Sequence, residues 1–432
     1  MLFFSLIKRA QSDGVYAMHP LVHAWGRDRL TLNEKKKCCL MAYVMLSSSL
    51  REDGSQPYGF QRILVTHVRA NMEYSRSESN QKDISCLDDA YAKFGDLLQK
   101  QGYTKEAEIL QIKVLDTRNR ILGVEHPDTI RAMASIASTN RGLGKYTEAE
   151  KLETQVMDAR KRILGGEHPD TIHAMGNLAE TCYELGKYTE AEKLAIQVLN
   201  ARNRSLGVEH SETIRAMENL AVIYGNLGKY TEAERLKIKV LDARNRIHGV
   251  EHPDTIRAMA NLAVTYHDLG KYTEAEKLEI QVLDARNRIL GVEHPDTIRA
   301  MANLAVTYHD LGKYTKAERL ETQVLDVRNR ILGVEHPGTM FAMANLAAIY
   351  HDLGKYTEAE KLEIHVLDVR NKILGVEHPD TILAIGNLAA TYNKLITWEN
   401  TQRQRSLTSK FWMQETEFLE WNTQIQSQPW KI

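Results

Sequence analysis

The dipeptide His-Pro returns at His126, His168, His252, His294, His336 and His378, with His210 in phase where Ser211 replaces the proline. Every step is 42 residues. Gly-Lys-Tyr keeps the same phase from Gly144 through Gly186, Gly228, Gly270 and Gly312 to Gly354, and Gly102-Tyr103 is a poorer early copy. The units Pro253–His294 and Pro295–His336 differ at four positions only, Glu274/Lys316, Lys277/Arg319, Ile280/Thr322 and Ala285/Val327. A fixed period of this length means one supersecondary unit copied along the chain, each copy needing its neighbours to cover its apolar surface.

The unit Pro253–His294 shows what is copied. Pro253-Asp254-Thr255 marks a turn and a helix start, with short polar side chains available as caps. Ile256, Met259, Leu262, Ala263, Tyr266 and Leu269 then follow helical spacing. Gly270 ends that helix at little conformational cost. Thr273-Glu274-Ala275-Glu276 has the form of a capping box for a second helix, whose apolar stripe is Ala275, Leu278, Val282, Ala285 and Ile289 before Gly291. Each unit is therefore expected to be a helical hairpin, and the array an all-α stack of about seven pairs with a final unpaired helix. Asn140 and Cys182 stand where other units have tyrosine, and the expectation there is looser packing.

Leu262, Ala263, Tyr266, Gly270, Tyr272 and Ala275 sit where the tetratricopeptide repeat places its signature residues. Together with N-L-A, G-K-Y-x-E-A-E and L-G-x-x-H-P, the period resembles the longer variant of kinesin light chains and of fungal receptor-type ATPases. The resemblance covers residues 84–395 and implies a right-handed superhelix that binds proteins or peptides. Such arrays serve many partners, so fold is implied more sharply than function.

Residues 1–83 do not repeat. Residues 1–50 are taken as a winged-helix-like remnant and 51–83 as a helical linker, with a strand over Val15–Met18 and a helix over Pro20–Leu30. Met18-His19-Pro20-Leu21-Val22-His23-Ala24-Trp25 resembles the segment following the nucleotide-binding domain of fungal NLR-like (STAND, or NB-ARC) ATPases. There a Met-His-Asp motif senses ADP; here His19 matches and Pro20 replaces the aspartate. The chain has no G-x-x-x-x-G-K-[ST] phosphate loop. The expectation is that Met1 lies inside a longer ancestral protein whose ATPase half is absent. The alternative is a plain helical cap on the array.

The pattern stops after Tyr392, and Ile396 occupies the glycine position. Residues 396–432 carry Trp398, Trp412, Trp421 and Trp430, four of the five tryptophans. Asn400–Leu407 permits codons that, regrouped two nucleotides later, read Y-T-E-A-E-K-L, and Thr416–Gln426 permits R-I-L-G-V-E-H-P-D-T. The tail is therefore expected to be a frameshifted repeat without a selected fold, and it is left out of the functional reading.

Chemistry is mostly excluded. The 56 Lys+Arg balance 57 Asp+Glu, against a general polyanion binder, so no nucleic-acid partner is expected. No apolar run approaches the ~20 residues of a membrane span, and Leu2–Ile7 is too short for a signal core. Cys38, Cys39, Cys86 and Cys182 have no C-x-x-C spacing. A cytoplasmic protein without metal, cofactor or catalytic residues is expected. The turn histidines belong to separate units and are read as local hydrogen-bonding groups. Glu274, Glu276, Glu279 and Asp284 are read as a solvated face beside Lys277 and Arg288.

The candidate functional surface is the side of the first helix away from the core stripe. Arg257, Asn261, Val264 and Asp268 share it. Asparagine recurs at Asn177, Asn219, Asn261, Asn303, Asn345 and Asn387. Arginine recurs at Arg131, Arg215, Arg257 and Arg299, interrupted by His173, Phe341 and Leu383. An amide donates and accepts, so it pairs with any peptide backbone, and a guanidinium grips carboxylates. The binding groove is assigned to Arg215, Asn219, Arg257, Asn261, Arg299, Asn303, Asn345, His267 and His309. The expected function is a non-enzymatic protein- or peptide-binding scaffold. The alternatives are the sensing arm of a truncated NLR-like signalling ATPase and a kinesin light-chain-like cargo adaptor, the latter disfavoured because residues 1–83 lack sustained heptads. A non-functional gene fragment is a third possibility.

Overall fold

The computed structural model describes residues 7–9, 16–18, 29, 31–50, 57–76 and 88–426. Two compact units divide at Leu227/Gly228. In the first, strands β1 (Ile7–Arg9) and β2 (Tyr16–Met18) pair antiparallel with Ile7 opposite Met18. The expected strand is thus three residues of a hairpin. His19 and most of the expected Pro20–Leu30 helix lie outside the described residues.

Helix α1 (Leu32–Ser48) starts at a capping box between Thr31 and Glu34, and the Thr31 hydrogen bonds hold the Glu34 carboxyl below its ordinary value. Helix α2 (Tyr58–Arg76), within the stretch read as a linker, carries Leu64, Val65 and Val68 into one core with Phe94, Leu98 and Leu110 of α3 (Asp88–Lys100) and α4 (Thr104–Ile121). Arg69 of α2 donates to Glu106 at 2.9 Å.

The hairpins follow. In the first unit they are α3–α4, α5 (Pro127–Gly142) with α6 (Tyr146–Leu164), and α7 (Pro169–Glu184) with α8 (Tyr188–Leu206), then α9 (Ser211–Asn226). The second unit holds α10 (Tyr230–His248), then α11 (Pro253–Asp268) with α12 (Tyr272–Leu290), α13 (Pro295–Asp310) with α14 (Tyr314–Leu332), and α15 (Pro337–Asp352) with α16 (Tyr356–Leu374). Last comes α17 (Pro379–Gln426). Within the array a core cluster typically spans three helices: Ile256 and Met259 of α11, Val282 and Ala285 of α12, and Ala300 of α13. Ile172, Met175, Val198, Ala201 and Ala216 repeat this in the first unit. The apolar stripe of one hairpin is closed by the next, which is why the copies must stack.

The caps differ from those expected. Histidine is the N-cap: His252 Nδ1 accepts the Asp254 N–H at 3.2 Å, and His168 and His294 do the same at 3.1 Å. Proline at the first helical position has no N–H to satisfy, so the imidazole serves the next one. Thr255 instead points inward, fully buried. The second helix starts at Tyr272 with no side-chain cap, so Thr273–Glu276 forms no capping box. Gly270, at φ +71°, and the Lys271 N–H bond to the Tyr266 carbonyl close the preceding helix early and start the next one sooner. Glu276 accepts from Lys313 of the following hairpin at 2.6 Å, and Lys271–Glu234, Lys355–Glu318 and Lys187–Glu150 repeat that link. Asn140 and Cys182 are both buried. Ile289, placed in the stripe from spacing, is exposed at the helix end.

Helix α17 continues through 396–426, because Ile396 provides no left-handed stop where each earlier copy has glycine. The stretch expected to be a frameshifted repeat is thus helical through Gln426. Ile385, in the register of Met259, is 43% exposed against 6%.

Candidate functional site

The helix face chosen from sequence is an open one. Arg215, Asn219, Arg257, Asn261 and Arg299 are exposed, while Asn303, Asn345, His267 and His309 are half-buried. The arginines are anchored in their own first turns: Arg215 donates to Glu212 at 2.7 Å and Arg299 to Asp296 at 2.6 Å, and Arg257 pairs with Asp254 at 2.9 Å. The asparagines are less committed. The Asn345 amide reaches Glu321 Oε1 only at 3.5 Å, and at Asn261 it is the backbone carbonyl, not the side chain, that accepts from Lys237 at 3.1 Å.

His267 and His309 are engaged. His267 Nε2 lies 2.7 Å from Asp310 Oδ2, one hairpin on, and His309 Nε2 lies 2.6 Å from Asp352 Oδ2. Their rings meet Tyr272 and Tyr314 edge-on. They strut neighbouring first helices together.

Beneath this face lies a position that sequence reasoning misread. Glu279, grouped with a solvated face, is 6% exposed, and its counterpart Glu321 is fully buried. Each second helix presents this residue to a residue 28 positions on, in the next first helix. Gln111 accepts from the Thr139 hydroxyl at 2.7 Å, and Lys237 donates to Thr265 at 2.5 Å. Glu153 faces Thr181, Glu279 faces Thr307 and Glu363 faces Thr391, each hydroxyl lowering a carboxyl pKa that burial raises further. The Glu153 and Glu279 contacts fall short of regular hydrogen-bond geometry. Opposite Glu321 the register residue is Ile349. Burial then pushes the Glu321 carboxyl up to about 7, against smaller lowering by Arg328 and Asn345. The readable signal was the 28-residue offset between polar residues; a search confined to helix faces could not find it.

One interface of the first unit lacks this polar pair. Ala195 and Ile223 occupy the two positions, and with Ala179, Val198 and Val222 they line a pocket of about 350 Å³. Asn177, Asn219, Arg215 and His173 share its wall. A second concavity of about 380 Å³ one hairpin earlier is lined by Gln99, Arg131, Glu153 and Asn177, among others. In the first unit members of the asparagine and arginine series therefore line two neighbouring hollows that share His173 and Asn177.

Two clusters of ligand-type atoms converge. His248, where the other units have leucine, stacks on His252 at 4.3 Å, and atoms of both lie within 4.8 Å of Asp254. His252 Nδ1 already caps a helix and Asp254 pairs with Arg244 and Arg257. Glu150, Cys182 and Glu190 also meet, but burial and the two carboxylates push the Cys182 thiol up to about 11, and Lys187 holds Glu150. Neither is assigned a metal. Among the described residues no helix is long and apolar enough to cross a membrane.

A family model described as tetratricopeptide repeat matches residues 87–162, 136–204, 177–236, 212–287 and 265–330, and a second of the same description matches 340–380. No curated protein matches the sequence. Among solved structures, a putative kinesin light chain from Podosopora anserina with nearly identical TPR-like repeats is similar at 28% identity, over 48% of this chain and 99% of that one, with a TM-score of 0.45. A tetratricopeptide repeat protein from Parabacteroides merdae is similar at 16% identity, over 71% and 98%, with a TM-score of 0.48. BtubC from P. vanneervenii is similar at 19% identity, over 58% and 94%, with a TM-score of 0.43.

Proposed function

The chain belongs to the tetratricopeptide repeat family, and from that premise we propose that it is a non-enzymatic scaffold binding extended peptide segments of partner proteins along its first-helix face. The observation that carries the reading is that Asn177, Arg215 and Asn219, chosen for their donors and acceptors, bound one hollow over an apolar floor. Amides at 42-residue intervals suit a ligand backbone, which offers its own donors and acceptors regardless of side chains. Asn219, Asn261, Asn303 and Asn345 contact the backbone in this reading. Arg215, Arg257 and Arg299 add charge, and His267 and His309 hold the rim. No residue takes a catalytic, cofactor or metal role, and nucleic acid and membrane are not partners. A cytoplasmic setting belongs to the same proposal. The sensor-arm and cargo-adaptor alternatives share this mode of binding and differ in what is attached to it.

Selection of a displayed random 12-residue peptide library on the full chain tests the reading. Enriched peptides are expected to bind the variant with Asn219, Asn261 and Asn303 replaced by Ala at least tenfold more weakly. Equal recovery on both proteins would remove the groove assignment.

A further inference from the structure

The repeats supply their own control for one site. At the two positions 28 residues apart, five interfaces place a polar side chain opposite threonine, and Glu321 keeps its carboxylate opposite Ile349. The pair Ala195 and Ile223 alone has no polar member. Both are buried and give the 350 Å³ pocket an apolar floor, where the hollow one hairpin earlier has the Glu153 carboxylate in its wall. Gly176, in the register of Ala134 and Ala260, also lines it, and a Cβ there would meet nothing within 4 Å.

The pocket is polarised along α7. At the end near the helix N-termini, Arg202 and Arg215 share one carboxylate oxygen, Glu212 Oε2, at 3.0 and 2.7 Å, leaving one positive charge in excess. Desolvation, with Arg160, Arg202 and Arg215, holds the adjacent His173 below the usual imidazole range, as a cationic corner requires. At the other end stand Glu180 and Glu184, with Arg141 paired to the first. From His173 to Glu180 a helix rises about 10 Å, which an extended peptide covers in about three residues.

We propose that this pocket takes the apolar side chain of a peptide carrying a carboxylate and a cationic side chain about three positions apart on either side of it, the carboxylate toward Arg202 and Arg215 and the cation toward Glu180 and Glu184. The proposal rests on the groove reading and gives it a ligand class. The apolar side chain displaces water from the Ala195, Val198 and Ile223 walls, and the opposed charges fix the direction of the chain.

Methyl-labelled alanine and isoleucine in the full chain provide the test. The probes are acetyl-Gly-Asp-Leu-Ser-Lys-Gly-amide, its Asp/Lys-exchanged form for the opposite chain direction, a form with Leu replaced by Ser, and one with both charges neutralised to Asn and Gln. At least one of the first two is expected to shift the Ala195 and Ile223 methyl signals. The serine form should leave them unmoved, and the neutral form should bind at least fivefold more weakly. Ala195→Glu with Ile223→Thr installs the pair present at Glu153 and Thr181, so it should fold, by circular dichroism, and the methyl signal of Ala179, which also lines the pocket, should shift with the probe in the wild type and stay unmoved in the variant. Unmoved methyls with every probe, or unchanged binding to the double variant, overturns the proposal. Shifts confined to the Arg215 and Asn219 backbone signals would leave the groove standing and remove the pocket.

Discussion

Glu279 and Glu321 occupy the same place in successive hairpins that differ at only a few positions, and both are buried, yet their surroundings divide at one residue. Burial raises the Glu279 carboxyl too, but Thr307 and, less so, His267 oppose that rise. Glu321 has Ile349 in that register and so no hydroxyl beside it, while the Oε2 of both carboxylates is without a hydrogen-bond partner. The repeat backbone thus tolerates a mismatch between hairpins that neither hairpin contains by itself. The cost appears as proton affinity: an unsatisfied buried carboxylate keeps its proton to near neutrality.

The largest effect expected from this comparison is in pH dependence. Below about pH 4.5 Glu321 is protonated whether the chain is folded or unfolded. Between 4.5 and about 7 the folded chain retains a proton that the unfolded chain gives up. Stability of that hairpin therefore falls as pH rises through the window, by about 3 kcal/mol in all at 1.36 kcal/mol per unit, and flattens above it. Native-state hydrogen exchange across α13 and α14 at pH 5, 6 and 8, corrected for intrinsic rates, should show the slope in the wild type and not in Glu321→Gln. Equal slopes would contradict the account of the buried carboxylate.

Exchanging the facing residues should move each site toward the other. Thr307→Ile is expected to cost about 1 kcal/mol at pH 8, by replacing the hydroxyl that faces Glu279 with an apolar group, and Ile349→Thr to gain about as much. Urea midpoints at pH 8 measure both, and shifts of the same sign would show that hydroxyl pairing is not what separates the two sites. The smallest effect belongs to the surface ladder between the hairpins. Lys313→Met, which removes the 2.6 Å pair with Glu276, should cost below about 1 kcal/mol and less still at 1 M salt. A salt-independent loss of several kcal/mol would move the ladder from the periphery to the centre of the stacking energy.

The hairpins and the open first-helix face were legible because period, apolar spacing and helix-ending glycine act within one unit. Gly270 and Gly291 have positive φ values of 71° and 84°, and Asn261 and Arg257 lie exposed on the expected side. The misreadings concern partners supplied by other units. Glu276 looked like a capping residue, but it meets Lys313. Glu279 looked solvated because its own helix has polar neighbours there, and only the next hairpin covers it. His252 was recognised as a local hydrogen-bonding group, whereas its role as N-cap in place of Asp254 and Thr255 depended on where the helix actually begins.

What the residue order determined alone was the repeating unit, since helical spacing and left-handed glycines are properties of neighbours along the chain. Which carboxylates lose water, which histidines become struts and where the face hollows out were decided by the stacking of one copy on another. Those outcomes depend on residues 28, 37 or 43 positions apart, a distance at which only packing brings side chains together.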